Sequence, residues 1–113
     1  MTPKEQKMIY DTLVQRANMP GTFTAVNGLR VTSIGDGCAE GEADLAAAHL
    51  NPLGIVHGGV YTTMMDQVAG AAACSRGSMC RTVDCEVRFF APAAGTKIYS
   101  HAQAVRMGRS INV

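Results

Sequence analysis

The stretch from Val60 to Cys74 constrains this chain more than any other. It reads VYTTMMDQVAGAAAC, helix-compatible and apolar on nearly every face, with Asp66 in its middle. A helix apolar all round is a buried helix. It falls short of the roughly 20 apolar residues that span a bilayer, so the burial expected is in protein. The remaining parts of a 113-residue chain, one small domain with a limited core, must therefore wrap around it.

The flanking segments supply a wrapping. Thr2-Pro3-Lys4-Glu5 predicts a helix start: a hydroxyl cap, proline at the first position and an acid in the first turn. Met8, Ile9, Leu13 and Val14 recur at helical spacing, and Met19-Pro20-Gly21 ends the segment. Residues 23–34 form a β-rich run (Val26, Leu29, Val31, Ile34) that stops at Gly35-Asp36-Gly37. Ala39, Gly41, Ala43 and Leu45 then alternate with Cys38, Glu40, Glu42 and Asp44, which predicts the second strand of a hairpin with one wet face. Residues 46–56 read as a loop, with Asn51-Pro52 and Leu53-Gly54 as turn signals. The central helix is predicted over about 57–76, with Gly77 ending it. Thr82 to Phe89 has the cleanest alternation in the chain, Val83, Cys85, Val87 and Phe89 facing one way. A turn over residues 91–95 and a strand from Lys97 to Met107 follow. This order of elements fits an α+β domain, antiparallel strands around one apolar helix.

Composition narrows the function classes. A net charge of +1 carries no signature of a nucleic-acid or acidic-membrane partner. Tryptophan is absent while Ala, Gly and Met are plentiful, which favours close helix–sheet approach. Cys38, Cys74, Cys80 and Cys85 form no CxxC pair and have no histidine at zinc spacing, so no metal site is expected. They read as buried free thiols of a reducing cytoplasm. The charged start, MTPKEQKMIYDTLVQRA, lacks the apolar run of a signal peptide, and the chain is expected to be soluble and cytoplasmic.

Two anomalies carry chemistry. His57-Gly58-Gly59 opens the buried helix without a Ser, Thr, Asp or Asn cap. Two glycines in a first helical turn cost about 1 kcal/mol each relative to alanine. Without Cβ atoms they let a ligand approach the free N–H groups, where the helix dipole would stabilise an oxyanion; the alternative is that they relieve crowding between helix and sheet. Asp66 is the second. A carboxylate in an apolar segment is costly, its pKa should rise, and it is a functional candidate; the alternative is an Asp on a narrow solvated face beside Gln67, or one capping a group nearby. Gly58 and Asp66 lie about 12 Å apart along one helix axis. One carbonyl carbon meets both more readily if a second chain supplies one of them, which predicts a dimer with interfacial sites.

Asn51-Pro52, His57-Gly58-Gly59, Asp66, Thr82-Val83-Asp84 and Phe89-Phe90-Ala91-Pro92-Ala93 together resemble the hotdog-fold acyl-CoA thioesterases of the phenylacetate-pathway (PaaI-like) group. The resemblance covers nearly the whole chain after the first helix. It implies a single hotdog domain over residues 1–113, with a curved antiparallel sheet around the central helix and an N-terminal helix. It further implies a homodimer or homotetramer with sites between subunits. Gly58 would donate its amide to the thioester carbonyl, and Asp66 of the facing subunit would activate water or attack directly. Thr82 would place the water or the carboxylate, while Asn51 and His57 would shape the site. The substrate would be an acyl-CoA and no other cofactor is implied.

Some of Met64, Met65, Val56 and Phe90, beside Gly59, are expected to line an apolar or aromatic acyl site. Arg76, Arg81, Arg88, Lys97, Arg106 and Arg109 are candidates for the phosphates of coenzyme A. His57 is expected to make a structural hydrogen bond, and His49 and His101 to lie on the surface or in loops. Members of the group continue past a segment like Met107–Val113 with one or two further strands, so a partly uncovered helix and an open sheet edge are expected here. The rival readings are a non-hydrolytic acyl-CoA-binding protein, a hydratase or dehydratase, against which the lack of a histidine near Asp66 counts, and a plain interaction module.

Overall fold

The computed structural model describes residues 1–92 and 94–113. Helix α1 (Pro3–Ala17) begins as the sequence predicts. The Thr2 hydroxyl accepts from the Glu5 amide at 3.1 Å, and the Glu5 carboxylate accepts from the Thr2 amide at 2.9 Å. This reciprocal cap satisfies two donors that the first turn would leave bare. Residues 23–26 differ from the expected strand: Phe23–Val26 is a single helical turn, α2.

Strand β1 (Leu29–Gly35) and strand β2 (Cys38–Asp44) form the predicted antiparallel hairpin. Its turn needs Gly37, whose φ of +68° is one that side-chain-bearing residues rarely adopt. Val31 and Ile34 both face the core although they lie three positions apart, an odd spacing for one face of a strand. The register shifts between Val31 and Ser33, a bulge that lets Thr32 stand outside the ladder. On β2 the alternation holds, with Ala39, Gly41 and Ala43 buried.

Helix α3 (Gly58–Ala73) crosses this sheet, followed by a 3-10 turn, Cys74–Arg76, that stops at Gly77 with φ +93°. Met64, Val68, Ala71 and Ala72 form its buried stripe, and full burial of Met64 or Val68 contributes about 1.5–3 kcal/mol each. Gly41 makes the close approach possible. A Cβ there would lie 2.8 Å from Val68 Cγ2 and 2.8 Å from the Arg30 carbonyl oxygen. The far end of α3 is tied to the hairpin turn: Ser75 Oγ accepts from the Gly37 amide at 2.8 Å, and Arg76 grips Asp36 through Nε at 2.7 Å and through a second guanidinium nitrogen at 3.2 Å. That grip holds the Asp36 carboxyl below its ordinary value.

Strand β3 (Lys97–Gln103) pairs antiparallel with β2, giving the order β1-β2-β3. It ends earlier than expected; Met107 makes only an isolated bridge to Asn112. The turn expected over residues 91–95 includes Ala93, which lies outside the described residues.

Two further expectations do not hold. Residues 82–89 form no ladder; Val83 is 87% exposed and Cys85 and Phe89 are exposed as well. Alternation prepares a strand, but only a hydrogen-bonded neighbour makes one, and none among the described residues lies beside it. Nor is α3 buried all round: Met65 is 38% exposed and Ala69 is exposed, because three strands and α1 cover only part of its circumference. Among the described residues no helix is long and apolar enough to cross a membrane.

Candidate active site

Asp66 lies two residues from both Met64 and Val68, so it projects about 200° around the helix from each buried neighbour. It therefore leaves α3 away from the sheet and is exposed, not sunk in an apolar core. Burial follows the covered face of a helix rather than the composition of its neighbours, which is why the expectation of a buried carboxylate does not hold. The Thr82 hydroxyl donates to Asp66 Oδ1 at 2.5 Å. That bond holds one carboxylate oxygen and leaves the other open.

Asp66 and Thr82 open on a cleft of about 620 Å³, within the ordinary range for small-molecule sites. Thr62, Thr63 and Gln67 of α3 line it too. Its other wall comes from the end of α1 and from α2, with Arg16, Ala17 and Phe23. Gln67 Nε2 donates to the Ala17 carbonyl at 3.0 Å, which fastens that wall to the helix carrying Asp66. Arg16, Phe23 and Cys85 are cleft residues that no local pattern marks. They become neighbours of Asp66 only when α1 and residues 82–85 fold against α3.

The other end of α3 is built differently. His57 is the N-cap: its Nδ1 accepts from the Gly59 amide at 2.8 Å. The missing Ser, Thr, Asp or Asn cap is thus supplied by an imidazole, and the structural hydrogen bond expected of His57 is present. A Cβ on Gly59 would sit 3.0 Å from that nitrogen, so the second glycine protects the cap. Gly58 carries the ring of Phe89 over it, at 3.4 Å from where a Cβ would be, and Phe89 packs edge-on against Tyr61 with centroids 6.1 Å apart. The Gly58 N–H has no acceptor among the described residues.

Asn51 shapes the loop that delivers His57. Its Oδ1 accepts from the amides of Leu53 at 2.9 Å and Ile55 at 3.3 Å, while its own amide donates to the Ile55 carbonyl at 2.8 Å. His49 lies in the segment expected as a loop, but it is buried there. Its Nδ1 accepts from the Ala46 amide at 3.0 Å and Nε2 faces the Asn27 carbonyl at 2.6 Å, which requires the Nε2–H tautomer. A ring with both nitrogens used is a structural staple. His101 is exposed near Glu40, as a surface histidine should be.

The chain thus brings Asp66 and Thr82 together but keeps Gly58, His57 and Asn51 out of their cleft. Val56 is buried, Met64 belongs to the core beneath the helix, and Phe90 is 93% exposed; none of them, nor Met65 or Gly59, lines the Asp66 cleft. Of the basic candidates, Arg76 is engaged by Asp36, Arg88 by Glu86 and Lys97 by Asp44. Arg81, Arg106 and Arg109 make no ion pair among the described residues. All four cysteines are free, with Cys85 exposed rather than buried.

A family model described as the thioesterase superfamily matches residues 53–113. A conserved protein of Pseudomonas aeruginosa is 30% identical, over 83% of this chain and 78% of that one, with a TM-score of 0.77. A thioesterase family protein from Silicibacter pomeroyi is 26% identical over 91% of this chain and 78% of its own, with a TM-score of 0.79. The PaaI protein from the phenylacetic acid degradation operon of E. coli is alike in fold, with a TM-score of 0.82 at 19% identity, over 92% of this chain and 76% of that one. No curated protein matches the chain.

Proposed function

We propose, from the premise that this chain belongs to the thioesterase superfamily and has a PaaI-like hotdog fold, that it hydrolyses an acyl-CoA thioester to the free acid and coenzyme A. The observation that carries this reading is Asp66 in a ligand-sized cleft, one oxygen held by Thr82 and the other free for water. Asp66 takes a proton from water as the hydroxide adds to the thioester carbonyl. The carbonyl oxygen becomes negative and is received by the amide of Gly58, with the N-terminal end of the α3 dipole behind it. Collapse of this intermediate expels the coenzyme A thiolate, which takes up the proton. Direct attack by Asp66, through an anhydride that water then opens, uses the same groups.

Gly58 and Asp66 sit about 12 Å apart along α3 and do not share a cleft within one chain. The proposal therefore includes a homodimer, alone or paired into a tetramer, in which Asp66 of one protomer meets the Gly58 amide of the other. His57 and Asn51 act as positioning residues that hold this amide outward. Coenzyme A enters only as part of the substrate, and free thiols beside a coenzyme A ester suit the reducing cytoplasm.

A thiol-release screen over short, medium, long and aromatic acyl-CoAs tests the reading, with Asp66→Asn beside the unaltered protein. Turnover of at least one thioester, lost by orders of magnitude in the variant, is expected. Binding of a CoA thioether without release of thiol from any ester would replace hydrolysis by a binding role.

A further inference from the structure

The wall that faces Asp66 across its cleft has a composition the reaction itself does not require. Arg16 is the one lysine or arginine that lines the cleft among the described residues. It makes no ion pair among the described residues, whereas Arg30, Arg76 and Arg88 are each engaged by a carboxylate. Its backbone is fixed from two sides. Gln67 holds the neighbouring Ala17 carbonyl, and the Asn18 side chain bonds both the amide and the carbonyl of Val31, at 2.8 and 2.7 Å. Phe23, 68% exposed, presents an apolar ring to the same cleft. Thr22, Thr24, Thr62, Thr63 and Thr82 line the same cleft beside Ala17, Gln67 and Cys85.

An exposed guanidinium beside an aromatic side chain fits an acyl group with an apolar body and an anionic end. We infer that Arg16 reads a carboxylate at the far end of the acyl group, so that the substrate is the coenzyme A half-thioester of a dicarboxylic acid. This rests on the hydrolytic reading above. Arginine suits the task because its planar fork matches a carboxylate with two parallel hydrogen bonds. The phosphates of coenzyme A are the other source of negative charge on such a substrate. They lie at the opposite end of the pantetheine arm from the thioester, while Arg16 shares the cleft of the reacting carboxylate. The unpaired Arg81, Arg106 and Arg109 stand outside that cleft, available to phosphate.

The test compares kcat/KM for succinyl-, glutaryl- and adipyl-CoA with that for the uncharged butyryl-, valeryl- and hexanoyl-CoA. Both series are repeated as pantetheine thioesters, in the unaltered protein, Arg16→Gln and Arg16→Lys. The unaltered protein should favour one carboxylated ester over its neutral partner by on the order of tenfold or more. Arg16→Gln should erase that preference on coenzyme A and pantetheine esters alike, with little change on neutral ones. Arg16→Lys keeps the charge at the helix end and should retain only part of the preference. A preference unaffected by Arg16→Gln overturns the inference. So does an equal loss on charged and neutral coenzyme A esters that spares pantetheine esters, since it assigns Arg16 to phosphate. If no ester is hydrolysed, the hydrolytic reading falls by itself, and calorimetry with a non-hydrolysable ω-carboxyalkyl-CoA thioether against its alkyl counterpart decides the inference. Tighter binding of the carboxylated thioether that depends on Arg16 sustains it; equal binding ends it.

Discussion

Thr82 and Asp66 are joined by a hydrogen bond of 2.5 Å between hydroxyl and carboxylate, across the gap between α3 and the segment that follows it. The bond orients a carboxylate that helix geometry alone would leave free to rotate in solvent. Thr82→Ser keeps the hydroxyl and should stay within a few-fold of the unaltered kcat. Thr82→Val keeps the shape and loses the donor, and should lower kcat on the order of 10-fold to 100-fold with KM little changed. Steady-state thiol release separates the two; equal activity of both variants would remove Thr82 from the site.

Gly41 sets how closely α3 approaches the sheet. A methyl group there would press on Val68 Cγ2 and on the backbone oxygen of Arg30, each 2.8 Å away, and a backbone atom yields poorly. Gly41→Ala should destabilise the fold by about 1–3 kcal/mol, seen in urea unfolding as a lower midpoint at unchanged slope. Gly70→Ala in α3, where a Cβ meets nothing within 4 Å, is the control and should be neutral or stabilising.

The cysteines should differ in reactivity. Burial, and then the neighbouring Cys74, push the Cys80 thiol above its ordinary value, while Cys85 is exposed on the rim of the cleft. Alkylation needs the thiolate. Iodoacetamide near pH 7.5 should mark Cys85 first and Cys80 last, with the gap narrowing as pH rises; peptide mapping by mass spectrometry reads the order. Because the folded thiol ionises later than the unfolded one, the stability Cys80 contributes is present below the ordinary thiol value and declines as pH climbs past it.

Local chemistry was legible from the residues alone. The Thr2–Glu5 cap, the Gly37 turn, the alternation of β2 and the Gly77 stop each depend on a few neighbours in sequence, and each stands as read. Features that depend on distant partners were not legible. Residues 82–89 have the alternation of a strand but no ladder beside them, and Asp66 faces out because the sheet covers the opposite side of α3. His49 looked like a loop histidine until Ala46 and Asn27 closed on its two nitrogens. Arg16 and Asp66 share a cleft across fifty residues of sequence, brought together by the packing of Leu13, Val14 and Ala17 on the core and by the Gln67–Ala17 hydrogen bond, a relationship invisible to any motif.

The Gly58 amide can be removed without removing the helix. Gly58 is the first residue of α3, where proline is well tolerated because its missing N–H has no helical acceptor. His57 before it has φ −61° and ψ +135°, the extended conformation that a following proline demands. A Cβ at this position would meet the Phe89 ring at 3.4 Å, an ordinary contact distance. Gly58→Pro should therefore fold with nearly unchanged thermal stability yet lose about 10²–10³ in kcat, the cost of one oxyanion donor. If sites form between subunits, Gly58→Pro and Asp66→Asn damage opposite halves of each one. Unfolding the two inactive variants together and refolding them as mixed dimers then restores one intact site per heterodimer, about a quarter of the unaltered activity for random pairing. Sites confined to single chains would restore none, and activity that fails to return from dimers shown by mass to be mixed would exclude the shared site.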